Sequence, residues 1–132
     1  MSKINVLQLV TSSELRGSET VALHQIMTST NNCFKYYICS LNPRGDLHDY
    51  ANDKNIDIFS LNFNGLIKAP LALINLIFFI KNYKINIIHV YGLKTDLFAR
   101  LVKLIFTKVI IVSAIHSVYT NRTKLQFKLD YI

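Results

Sequence analysis

The chain has 132 residues, 51% of them apolar, with 4 Gly, 2 Pro and a formal net charge of +7. That is one domain's worth of chain with enough apolar side chains for a core. It excludes a disordered, collagen-like or proline-rich protein. The charge is unevenly placed. Residues 89–132 carry seven basic and two acidic groups, whereas residues 45–88 carry four of each. A basic surface of this kind attracts phosphate.

Lys3–Val10 reads as a strand, with Ile4, Val6, Leu7, Leu9 and Val10 in one short apolar run. Thr11–Ser18 is a polar loop. A helix is predicted from Glu19 to Thr30, capped by Ser18, with Leu23, Ile26, Met27 and Thr30 on its inner face. Phe34–Leu41 is rich in β-formers, and Asn42–Gly45 has turn chemistry. Asp46 opens a short helix, and Ile56–Leu61 alternates as a strand exposed on one side does. A loop follows from Asn62.

Pro70 suits a first helical turn, and the spacing predicts a helix to about Tyr83. Its apolar run, Pro70–Ile80, spans about 16 Å as a helix, against about 30 Å for a bilayer core. It is therefore either buried against a sheet or interfacial, and Lys68, Lys81 and Lys84 suit both. Ile85–Tyr91 is a strand. Leu93–Phe106 is a helix, with Leu97, Phe98, Leu101, Val102, Leu104 and Ile105 on one broad face. Asp96, Arg100 and Lys103 fall on the other. Val109–Ser113 is an almost wholly apolar strand, and Asn121–Ile132 resembles the start of another helix. Both later strands are apolar enough for burial on two faces.

Strands alternating with helices imply right-handed crossovers and a parallel sheet, so the expected fold is α/β and Rossmann-like, with helices on both faces. Residues 1–132 form one domain. Ligands of such sheets bind outside the carboxyl ends of the strands, here segments 11–18, 89–95 and 114–120. Cys33 and Cys39 are too far apart along an extended strand to pair, and are expected as reduced core residues of a cytoplasmic protein. No metal-ligand spacing, P-loop, HExxH or GxGxxG is present.

Three groups of residues are candidates for chemistry. Gly17 and Ser18 open a helix whose free N–H groups attract anions. His89 and Tyr91 end the fourth strand, and His116 and Tyr119 follow the fifth. A histidine at that edge can act as a base or donate to developing charge.

Taken together, these segments resemble the N-terminal domain of family 4 glycosyltransferases, retaining enzymes of GT-B architecture. INVLQLV followed by Gly17-Ser18-Glu19 is similar to the family's Gly-Gly-x-Glu loop. RGDLHDYANDKNIDIFSL, IIHVYGLKTDLFARLVKL and VIIVSAIHSVY are similar to its next three stretches, in order. Arg16, Tyr91 and Lys108 depart from the pattern, standing where the family has Gly, His and Pro.

The resemblance implies that Gly17 and the Ser18 backbone approach the phosphates of a nucleotide-sugar donor. It implies that His116 is the catalytic residue, near the reacting sugar, with His89, Tyr91 and Tyr119 on the acceptor side. Glu19 is a helix-start residue. No cofactor and no metal are implied. The intact reaction would move a sugar to a saccharide or lipid-linked acceptor in cell-surface polysaccharide synthesis.

The family's second domain, with its Glu-x7-Glu motif, has no counterpart in these residues. The expectation is a truncated chain, or half of a split enzyme with a C-terminal-domain partner chain, that alone transfers sugar poorly. Peripheral contact with the inner membrane face is open; nucleic acid is not expected. The rival readings are a non-catalytic acceptor- or membrane-binding half, and a Rossmann-like domain for another nucleotide.

Overall fold

The computed structural model describes residues 3–30 and 32–114. Five strands alternate with helices. They are β1 (Ile4–Val10), α1 (Gly17–Thr28), β2 (Phe34–Ser40), α2 (Asp46–Asp53), β3 (Ile58–Ser60), α3 (Ala69–Asn82), β4 (Ile87–Val90), α4 (Leu93–Lys103) and β5 (Ile110–Ser113). A single 3-10 turn over Leu66–Lys68 leads into α3. All strand pairs are parallel, in the order β3-β2-β1-β4-β5. This is the Rossmann-like α/β fold expected for one half of a GT-B architecture.

The order follows from the pattern of burial. β1 is the central strand and is buried on both faces. Leu7 and Leu9 point to one core, shared with Ala72, Leu76, Phe79 and Ile80 of α3 and Phe98, Ala99 and Val102 of α4. Val10 points to the other, shared with Ala22 and Leu23 of α1 and Leu47 and Ala51 of α2. Each fully buried Leu here contributes about 1.5–3 kcal/mol. Asn55 and Asn62 hold positive φ at the turns after α2 and β3, a conformation asparagine tolerates better than most residues.

Several expectations need correction. α1 starts at Gly17, so Arg16 is its N-cap and Ser18 lies inside the first turn. Met27 and Thr30 are exposed, and the inner face of α1 is Glu19, Ala22 and Leu23. In α4 the buried face is Thr95, Asp96, Phe98, Ala99 and Val102, while Leu97, Leu101, Leu104 and Ile105 are exposed. β5 is not buried on two faces. Ile110 and Val112 share the α1 side of the sheet with His89, and no helix of the described residues covers them there. Cys33 is exposed, and only Cys39 is in the core. The helix expected over Asn121–Ile132 lies outside the described residues.

The inner side of α3 packs on the sheet, and Leu71, Ile74 and Phe78 are exposed on its outer side, following the exposed Ile67 of the 3-10 turn. No helix among the described residues is long and apolar enough to cross a membrane.

Candidate functional site

The carboxyl edge of the sheet is built from four loops: 11–16 after β1, 41–45 after β2, 61–65 after β3, and 91–92 after β4. Glu19 ties the first loop to α1. It is buried, and its Oε1 accepts the Ser12 backbone N–H at 3.1 Å. A carboxylate at this position also suits the positive end of a helix. Arg16 pairs with Glu14 at 2.6 Å on the surface, an exposed pair that adds little stability. Gly17 is exposed at the helix start, and a Cβ there would meet nothing within 4 Å. The chain's own packing does not demand glycine at this position.

The second loop is held against the first by a buried polar knot. Ser13 Oγ donates to the Asn42 carbonyl and approaches Ser40 Oγ, both at 3.0 Å. Ser60 Oγ donates to the same carbonyl at 2.7 Å. The Leu47 N–H donates to the Ser13 carbonyl at 2.8 Å. His48 fastens α2. Its Nδ1 accepts the Gly45 N–H at 3.3 Å, so Nε2 carries the proton and donates to the Phe59 carbonyl at 3.1 Å. Burial holds the His48 pKa below its ordinary value, and nearby Arg44 adds to this.

His89 and Tyr91 come together, but on the α1 side of the sheet. Their rings lie 4.4 Å apart, and Tyr91 Oη sits 3.2 Å from His89 Nδ1. The same hydroxyl donates to Gln25 Oε1 at 2.9 Å, an oxygen that also accepts from Gln8 Nε2 at 3.2 Å. Burial pushes the Tyr91 phenol well above its ordinary range, with Tyr36 adding to the shift.

Asp96 and Arg100, expected to face outward, are largely buried, with side chains 12% and 18% exposed. Arg100 Nε donates to Asp96 Oδ2 at 2.9 Å, and Ser113 Oγ donates to Oδ1 at 2.8 Å. The pair therefore joins α4 to the carboxyl end of β5.

On the opposite face from His89, an open cleft of about 730 Å³ lies between the 3-10 turn, the start of α3 and α4. Phe63, Leu66, Leu73, Leu97, Phe98 and Leu101 form its apolar walls, and Asn42, Asn64 and Lys94 are its polar lining. Among the described residues no carboxylate lines it. Its size falls within the range of small-molecule sites, roughly 300–1,000 Å³. It was not read from the sequence. NFNGLIKA passed as a plain loop, although its Leu66 and Ile67 are costly to expose unless they face a partner. Leu97 and Leu101 read as part of the same broad apolar face as Phe98 and Val102.

His116 and Tyr119 lie outside the described residues. Among the described residues no group of three His, Cys, Asp or Glu side chains could hold a metal ion.

No protein-family model and no curated protein matches the chain. Solved structures do. A glycosyltransferase from Rickettsia africae ESF-5 is similar over 99% of this chain and 34% of its own, with 21% identity and a TM-score of 0.74. MurG from Acinetobacter baumannii is similar over 95% of this chain and 38% of its own, with 13% identity and a TM-score of 0.69. A UDP-GlcNAc 2-epimerase from Neisseria meningitidis, bound to UDP-GlcNAc, is similar over 89% of this chain and 33% of its own, with 16% identity and a TM-score of 0.62. At these identities the likeness is one of fold. The chain spans about a third of the length of the solved proteins it matches, and shares with glycosyltransferases and nucleotide-sugar epimerases one Rossmann-like unit.

Proposed function

We propose that the chain is the N-terminal, acceptor-side half of a GT-B glycosyltransferase. In the intact enzyme a nucleotide-sugar would donate its sugar to a saccharide or lipid-linked acceptor of cell-surface polysaccharide synthesis. The observation that carries this reading is the apolar cleft at the carboxyl edge. An epimerase rearranges one nucleotide-sugar and needs no room for an acceptor; a transferase does. The likeness in fold to solved glycosyltransferases supports the same choice.

In this reading Gly17 and the Ser18 N–H stand at the positive end of α1, where a diphosphate is favoured. The open space at Gly17 leaves room for one. His116 is proposed as the catalytic residue and Tyr119 as an acceptor-side residue, from the family resemblance alone. His89 and Tyr91 are proposed as acceptor-side residues from the family resemblance, and Tyr91 also ties α1 to the sheet through Gln25. The reaction needs no metal in this reading. The family 4 assignment, the retaining mechanism and a cytoplasmic location, with peripheral membrane contact through Ile67, Leu71, Ile74 and Phe78, are part of the proposal. A second domain would supply most of the donor site and the charge that stabilises the leaving diphosphate.

The test is release of nucleoside diphosphate from a panel of nucleotide-sugars by the chain together with its adjoining coding sequence. Turnover that falls at least about a hundredfold on His116→Ala is expected. Near-normal turnover in that variant would overturn the role of His116. Conversion of a nucleotide-sugar to its epimer, with no acceptor consumed, would overturn the transferase reading.

A further inference from the structure

The amino edge of the sheet, opposite the loops that build the candidate site, carries a hollow of about 460 Å³ between the end of α3 and the loop from α4 to β5. Its floor is apolar, with Ile80, Ile85 and Val109 buried in the core. Lys81, Lys84 and Lys108 line it. Lys81 lies in the last turn of α3, where a cation complements the negative end of the helix. Lys84 and Lys108 lie beyond the helices, and that reason does not reach them. Lys84 closes α3 with a φ of 51°, and the next N–H, of Ile85, bonds back to the Ile80 carbonyl at 3.1 Å. Glycine or asparagine is usual at such a helix end. Asparagine fills the other left-handed positions among the described residues, Asn55 and Asn62. A lysine is therefore kept here at a conformational cost.

Both walls are fixed by the fold. Asn5 of β1 donates through Nδ2 to the Tyr83 and Lys84 carbonyls at 2.9 and 3.2 Å, and its own N–H donates to Asn86 Oδ1 at 2.8 Å. Across the hollow, Lys103 Nζ donates to the Val109 carbonyl at 2.9 Å, and the Val109 N–H to the Phe106 carbonyl at 3.1 Å. Ammonium groups gathered over a low-dielectric floor focus a positive field into the space between them. Linked phosphates bring several negative charges into one such space. We propose that this hollow binds a soluble molecule carrying two or three linked phosphates, with Lys84 and Lys108 as its principal contacts. A ligand there lies a strand's length from the carboxyl edge. It is neither donor nor acceptor in the transferase reading, and its binding does not depend on that reading.

The experiment is a calorimetric titration of the 132-residue chain with inorganic phosphate, pyrophosphate and tripolyphosphate. Affinity rises along the series, by at least about tenfold from first to last. Lys84→Asn keeps the left-handed turn with a side chain that tolerates it. That change and Lys108→Gln each weaken tripolyphosphate binding by about three- to tenfold, and together they abolish the rise while the thermal melt is kept. Lys54→Gln removes the same charge at the end of α2, on the other face of the sheet, and leaves the affinity within about twofold.

An equal loss in Lys54→Gln would overturn the assignment, since the anion would then answer only to net charge. Tripolyphosphate binding that survives the double variant would also overturn it, because the anion would then sit elsewhere, as at the start of α1. Phosphatidylglycerol vesicles form a separate arm. A chain that adsorbs to them through Lys84 and Lys108 yet leaves tripolyphosphate unbound would assign the hollow to a membrane surface and overturn the soluble ligand. Tripolyphosphate bound with vesicles absent, and lost in the double variant, supports it.

Discussion

The unprotonated Nδ1 of His48 accepts the backbone N–H of Gly45 at 3.3 Å, so the start of α2 depends on a neutral imidazole. Burial lowers the pKa of this histidine in the folded chain. The unfolded chain therefore takes up the proton first as pH falls. The stabilisation is complete above about pH 6.5, the unfolded value, and is lost progressively below it. Urea midpoints at pH 7.5, 6.5 and 5.5 check this. The wild-type midpoint drops over the lower interval, and His48→Gln, itself destabilised by about 1–3 kcal/mol, flattens that drop. An unchanged pH dependence in His48→Gln would contradict it.

Gly45 and Gly17 respond oppositely to the same substitution. A Cβ at Gly45 would lie 2.7 Å from the Ser13 carbonyl oxygen, which is backbone and also accepts from Leu47 N–H. Gly45→Ala therefore pushes the first two loops apart and costs about 1–3 kcal/mol. At Gly17 the methyl enters open space in the first helical turn, and the change is neutral or stabilising by up to about 1 kcal/mol. Chemical denaturation of both variants makes the comparison. If Gly17→Ala keeps its stability but loses transfer in the intact enzyme, phosphate approach at that position is the remaining explanation.

Removing the Asp96 carboxylate takes away an acceptor that Arg100 Nε and Ser113 Oγ share. Asp96→Ala is expected to cost about 1–3 kcal/mol and to loosen the end of β5. Amide hydrogen exchange shows it as faster exchange at Ile111 and Val112, with β2 unaffected. Uniform acceleration across the sheet would mean that the pair does not act locally.

The two thiols separate by reactivity. Burial pushes the Cys39 thiol up to about 12, whereas Cys33 is exposed. Iodoacetamide at pH 8 should modify Cys33 within minutes and Cys39 only after denaturant is added. Mass spectrometry of the intact chain counts the adducts.

The alternation of β-runs and amphipathic segments carried the fold, because each run was short, apolar and closed by turn residues such as Asn42-Pro43-Arg44-Gly45. Choice of helix face was not legible where the apolar stripe of a helix is broader than the face the sheet covers. α4 offers Leu97 and Leu101 as well as Phe98 and Val102, and only packing against Leu9 and Ile88 of the sheet decides between them. Asp96 defeated the rule that charge faces water, because its partners Arg100 and Ser113 satisfy it in place. Burial of β5 depends on what covers its α1 side, which a single strand cannot announce. The edge of the sheet that holds the candidate site was legible, since the parallel-sheet rule points to it. The cleft was not, because its walls come from the 3-10 turn with the start of α3 and from α4, which β4 separates in the chain.

The reversal of strand order between β1 and β4 places α1 on one side of the sheet and the cleft on the other. The sheet is in effect a partition. The start of α1 and the apolar cleft beside α3 and α4 therefore face different solvent, on either side of the rim formed by the ends of β1 and β4. In the transferase reading, such a layout would let one small domain hold a charged group and an apolar one within reach of the same point.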